Sequence, residues 1–68
     1  MGQPLHITNS TSLGIHVEWW TAGSVFLVAE YGVGAGQTGT KSLEAVWYDV
    51  YIIYNGKKYG KYVFYGAN

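Results

Sequence analysis

The 68 residues include no cysteine, and four Lys balance Glu18, Glu30, Glu44 and Asp49, with no Arg, for a formal net charge of zero. This excludes a disulfide framework and a thiolate metal centre, and nucleic acid is not an expected partner, because its binders carry a basic stripe rich in Arg. One domain, 1-68, is expected; at this size folding hides only about 60% of the chain's surface, so three Trp, seven Tyr and two Phe must supply much of the burial.

At the N-terminus, Met1-Gly2-Gln3-Pro4 lacks the charged and apolar regions of a signal peptide. His6 stands where a myristoylation motif needs Ser or Thr. No apolar run reaches the length of a membrane helix. The compartment stays open between cytoplasmic and mature secreted, and the sequon Asn9-Ser10-Thr11 matters only in the second case.

Short segments between regular turn signals predict a small antiparallel all-β domain of about five strands, either a sandwich or a small barrel. Pro4 to Thr8 reads as a first strand, closed by Asn9-Ser10-Thr11-Ser12. Leu13 to Trp20 alternates, with Ile15, Val17 and Trp19 on one face and His16, Glu18 and Trp20 on the other. After Thr21-Ala22-Gly23, the segment Ser24 to Tyr31 is apolar on both faces, which predicts a central or doubly covered strand. Gly32 to Thr40, with four glycines, is expected to be a loop.

Leu43 to Tyr54 has apolar residues at helical spacing, but Val50-Tyr51-Ile52-Ile53-Tyr54 favours a pleated surface. Asn55-Gly56 is the strongest short hairpin signal, because both central residues of a type I′ turn need φ > 0. A strand is therefore predicted, with Tyr54 facing Lys57, Ile52 facing Tyr59, Val50 facing Lys61, Tyr48 facing Val63 and Val46 facing Tyr65. On the other face Tyr51 would cover Gly60, Asp49 would meet Tyr62 and Trp47 would meet Phe64. Aromatics on both faces ask for cover on both, so completion by oligomerisation is expected, with a homo-oligomer as partner.

Several patterns compete as sites. Gly34-Ala35-Gly36-Gln37-Thr38-Gly39 has the G-x-G-x-x-G spacing of a dinucleotide loop. However, the following segment reads as strand, the position twenty residues on is Tyr54, and there is no room for a βαβαβ half. Lys57, Lys58 and Lys61 beside Tyr54, Tyr59 and Tyr62 interleave charge and rings as single-strand binders do, yet lysines solubilising an exposed hairpin are the favoured explanation. His6, His16 and Glu18 could form a metal set from adjacent strands, but two histidines are common by chance and no cofactor or metal is expected. Catalytic residues are not expected either: the carboxylates are scattered, and no Ser sits in a nucleophile elbow.

The aromatics carry the functional expectation. Trp20, Tyr48 and Tyr62 could form a flat platform with polar edges, with Gly36, Gln37 and Thr38 supplying loop amides beside it. The chain is thus read as a non-enzymatic, lectin-like binding module directed at a glycan or a lipid surface. The alternatives are a self-assembling structural protein without a small-molecule ligand and a membrane-surface or pore-forming module. Ile7-Thr8-Asn9-Ser10-Thr11, Gly36-Gln37-Thr38-Gly39-Thr40 and Trp47-Tyr48-Asp49-Val50 resemble pieces of actinoporin-like pore formers and fungal fruit-body lectins. That resemblance implies a β-sandwich binding lipid or glycan through aromatic surfaces. This chain is shorter and has no counterpart of their amphipathic helix, so no site residue carries over.

Overall fold

The computed structural model describes residues 4–66. The fold is all-β: β1 Leu5–Thr8, β2 Ile15–Thr21, β3 Leu27–Val33, β4 Thr38–Lys41, β5 Trp47–Tyr54 and β6 Lys57–Tyr65. These form two antiparallel sheets, a pair β1-β4 and a four-stranded sheet of order β3-β2-β5-β6. No helix occurs among the described residues, so 43–54 does not use its helical spacing.

Alternation in β2 decides which face is covered. Ile15, Val17 and Trp19 are buried while His16, Glu18 and Trp20 are half-buried on the opposite face. Trp19 is fully buried, and the rings of Tyr48 and Phe64 meet it edge-on at 5.3 and 5.5 Å. Val33 and Val50 complete the core, and Leu5 and Ile7 of β1 pack onto it from the small sheet. The second layer thus rests on Leu5 and Ile7 of a four-residue strand and on the close approach of β4 to β3. It covers the middle of the large sheet and leaves the β6 side uncovered.

Three features depart from the expectations. The glycine-rich segment expected to be a loop contains the end of β3 and most of β4. Thr38 and Thr40 pair with Thr8 and His6. Between them Gly39 lies under Val33, where a Cβ would come within 2.7 Å of the Val33 Cγ2. Glycine here permits close packing rather than a flexible connection. The apolar segment from Ser24 is not central. β3 is the outer strand of its sheet, and Val25, Phe26, Leu27 and Val28 are all exposed. Hydrophobicity on both faces measures the drive to be covered, not whether a neighbour is present.

The third difference concerns the last hairpin. Asn55 (φ 51°) and Gly56 (φ 76°) make the turn expected of them, and Tyr54–Lys57 and Ile52–Tyr59 pair as predicted. Beyond Tyr59, β6 bulges: Val50 pairs with Tyr62, Asp49 with Val63, Tyr48 with Phe64 and Trp47 with Tyr65. The predicted pairings of Val50 with Lys61, Tyr48 with Val63, Val46 with Tyr65, Asp49 with Tyr62 and Trp47 with Phe64 are each displaced by one residue. Tyr51 does cover Gly60, and a Cβ there would lie 2.5 Å from the Tyr51 Cδ1. An aromatic over a bare glycine leaves no room for a regular residue, and the chain absorbs this as a bulge.

Candidate functional site

The bulge re-aims the tyrosines of β6. In an unbroken strand, residues 59 and 62 would point to opposite faces. With one extra residue between them, Tyr59 opposite Ile52 and Tyr62 opposite Val50 share the face that carries the core. The small sheet does not reach them, so they stand as a wall beside β1. With Tyr54 they bound an open cleft of about 300 Å³, floored by Ile7, Ile15 and Ile52. A smaller recess of about 170 Å³ adjoins it between Leu5, Ile7, Tyr62, Val63 and Phe64.

The opposite rim is polar: Thr8, Asn9, Ser10 and Thr11. Asn9 holds this rim in place. It is buried, and its Nδ2 donates to Leu13 O (2.7 Å) and Val33 O (3.0 Å). Its Oδ1 accepts from Thr11 N (3.0 Å) and the Thr11 hydroxyl (2.6 Å). Its backbone joins the small sheet, with Asn9 N donating to Gln37 O and Gly36 N donating to Asn9 O. Every polar atom of the side chain is therefore paired, as a buried amide requires. The same burial keeps the sequon asparagine from a glycosylating enzyme once the chain is folded.

The predicted site residues are not brought together. Tyr62 lines the cleft. Tyr48 does not contribute: it is buried against Trp19, and desolvation, reinforced by Glu44, raises its phenol pKa above 10.0. Trp20 lies on the other face, where its Nε1 donates to Glu18 (3.0 Å) and the Lys58 ammonium sits 5.7 Å from its ring centroid. Gly36, Gln37 and Thr38 stand behind the polar rim. The amides of Gly36 and Gln37 donate to Asn9 O and Gly34 O, and the Thr38 hydroxyl pairs with that of Thr8. They brace the rim instead of facing a ligand. The missed residues are Tyr54, Tyr59 and the turn Asn9–Thr11. A glycine between two tyrosines inside a strand was the available signal.

Of the three residues weighed as a metal set, only His6 is separated from the others. His6 lies on the small sheet with its Nδ1 3.0 Å from the Thr40 hydroxyl. His16 instead pairs with Glu30 at 2.7 Å. On the same outer face Asp49 is buried, accepting from Gly23 N (3.0 Å) and the Ser24 hydroxyl (2.8 Å), and this draws the β2–β3 turn onto the sheet. Glu18 accepts from Trp20 and Lys58, which together hold its pKa below the ordinary 4.5.

The cleft wall itself contains no carboxylate, histidine or lysine. It offers ring faces, methyl groups, hydroxyls and backbone, which suits contact with a neutral polar ligand. The chain matches no family model, no curated protein and no solved structure.

Proposed function

We propose that this protein is a small, non-enzymatic glycan-binding module whose site is the cleft between β1 and β6. The supporting observation is the bulge that turns both Tyr59 and Tyr62 toward a polar rim carrying Ser10 and Thr11. A sugar ring has an apolar face and an equatorial belt of hydroxyls. Tyrosine ring faces match the first, and rim hydroxyls with the tyrosine Oη atoms match the second. The volume is at the lower end for ligand pockets, which are about 300–1,000 Å³, so one or two sugar residues are the expected occupant. The test is a glycan array followed by NMR titration of the best hit. Tyr62→Ala should abolish binding and Trp20→Ala, on the opposite face, should not. Binding that depends on Trp20 and not on Tyr62, or binding to lipid vesicles alone, would overturn this reading.

Self-association is a second reading, favoured by a different observation. Phe26 and Trp47 are 69% and 57% exposed, and Trp47 meets the ring of exposed Tyr65 edge-on at 5.0 Å. The free edge of β6 is an unsuitable partner surface, since Lys57, Lys58, Lys61 and a bulge are the usual protections against edge pairing. Copies would therefore meet through the apolar end of the outer face. Native mass at micromolar concentration should show at least a dimer that Trp47→Ser disperses. A persistent 7.5 kDa species would end this reading and leave the glycan cleft standing.

A further inference from the structure

Opposite the cleft, the large sheet brings three potential ligands together. His16 and Glu18 are two residues apart on β2, hence on one face, and Glu30 of β3 stands directly across from Glu18. One donor atom from each lies within 4.8 Å of the others. We propose that His16, Glu18 and Glu30 form a binding site for a divalent transition-metal ion of the zinc class, independent of the cleft.

Three arguments support this. The donor set is one imidazole nitrogen and two carboxylate oxygens. Magnesium and calcium favour oxygen alone, whereas zinc accepts this mixture with a fourth position left to water. Spacing is the second: bonds of about 2.1 Å in a tetrahedral site place ligand atoms ~3.4 Å apart. The present separations, from 2.7 Å for His16 Nε2 to Glu30 Oε1 up to 4.8 Å, bracket that value. Small rotamer changes would therefore suffice on strands whose register is already set. The third is an electrostatic conflict. Directly opposed like charges destabilise a sheet, yet Glu18 and Glu30 are so placed. A dication between them would turn that repulsion into attraction.

The surroundings fit a supporting role. The Trp20 indole N–H donates to Glu18 Oε1 at 3.0 Å, the kind of outer contact that orients a ligating carboxylate. Lys58 Nζ also lies 3.0 Å from Glu18 Oε1 and is the cation that a metal would displace. Lys58 thus competes for the site.

Titration of the intact protein with zinc chloride tests this, followed by Trp fluorescence and by NMR of the histidine rings. One equivalent should bind saturably, shifting the His16 ring and changing Trp20 emission, while magnesium chloride should not. His16→Ala and Glu30→Gln should each weaken binding by about 10-fold or more. Both side chains are about half exposed, so the fold should survive, and unchanged Trp19 near-UV circular dichroism would verify this. Lys58→Gln should tighten binding, and His6→Ala should leave it unchanged. No saturation by about 1 mM zinc, binding that survives His16→Ala, or binding lost with His6→Ala would each refute the site.

Discussion

Asn9 is where one side chain holds the most structure, so its replacement gives the sharpest test of how the cleft is built. Asn9→Ala removes four hydrogen bonds, two linking the rim to the β2 entry and the end of β3 and two closing the rim onto Thr11. The bond to Val33 O is buried and the others lie nearer solvent. One buried partner losing its donor costs about 1–3 kcal/mol, and partners that water can reach cost about 0.5 kcal/mol or less each. The expected loss is about 2–4 kcal/mol, a fall in Tm on the order of 10–25 °C for a domain this small. Asn9→Asp is more diagnostic. It keeps the shape and the acceptor for Thr11 but puts a carboxylate oxygen against the two carbonyls that Nδ2 now serves. At pH 7 it should cost at least as much as alanine. The folded state would favour the protonated acid, binding more protons than the unfolded chain, so stability should rise as pH falls toward 4. Urea unfolding of the three proteins between pH 4 and 8 measures this. An Asn9→Asp protein as stable as the parent at pH 7, or one whose loss is independent of pH, would show that Asn9 does not hold the rim.

Further expectations follow from particular contacts. Trp19→Ala should cost about 3–5 kcal/mol as a core truncation, whereas half-buried Trp20→Ala should cost much less by the same urea assay. A Cβ at Gly56 would meet no atom within 4 Å, so the cost of Gly56→Val is mainly conformational, about 1–2 kcal/mol for a left-handed position; a neutral result would deny the turn its φ of +76°. Gly60→Ala drives a Cβ into Tyr51 and should cost about 1–3 kcal/mol by overpacking, with weaker glycan binding as Tyr59 and Tyr62 shift. Glu18 has its pKa lowered by Trp20 and Lys58, so its contribution is complete above its ordinary value of 4.5 and is lost as pH falls through the lower folded value. Glu18→Gln should therefore flatten the acid limb of the stability curve, and an unaltered limb would contradict that pairing.

Local chemistry was enough for much of the fold. Alternation in 15–20 put Trp19 inside and Trp20 outside, because a strand has a period of two whatever surrounds it. Asn55-Gly56 specified its hairpin and the first pairings, because a type I′ turn leaves little choice of register. Two kinds of information lay beyond such rules. One was close approach: Gly39 under Val33 and Gly60 under Tyr51 are glycines because another residue occupies the space of a Cβ. For Gly39 the sequence shows the missing side chain but not the neighbour that requires it; for Gly60 it points to Tyr51 but not to the bulge that accompanies the contact. This is why β4 read as a loop and the β6 bulge was missed, and with them the shared face of Tyr59 and Tyr62. The other was coverage. Val25 to Val28 are as apolar as a covered strand, yet they stay exposed. Hydrophobicity drives burial without setting the extent of the opposing layer. Only the tertiary packing decided that Tyr48 lies in the core against Trp19 while Tyr62 faces an open cleft.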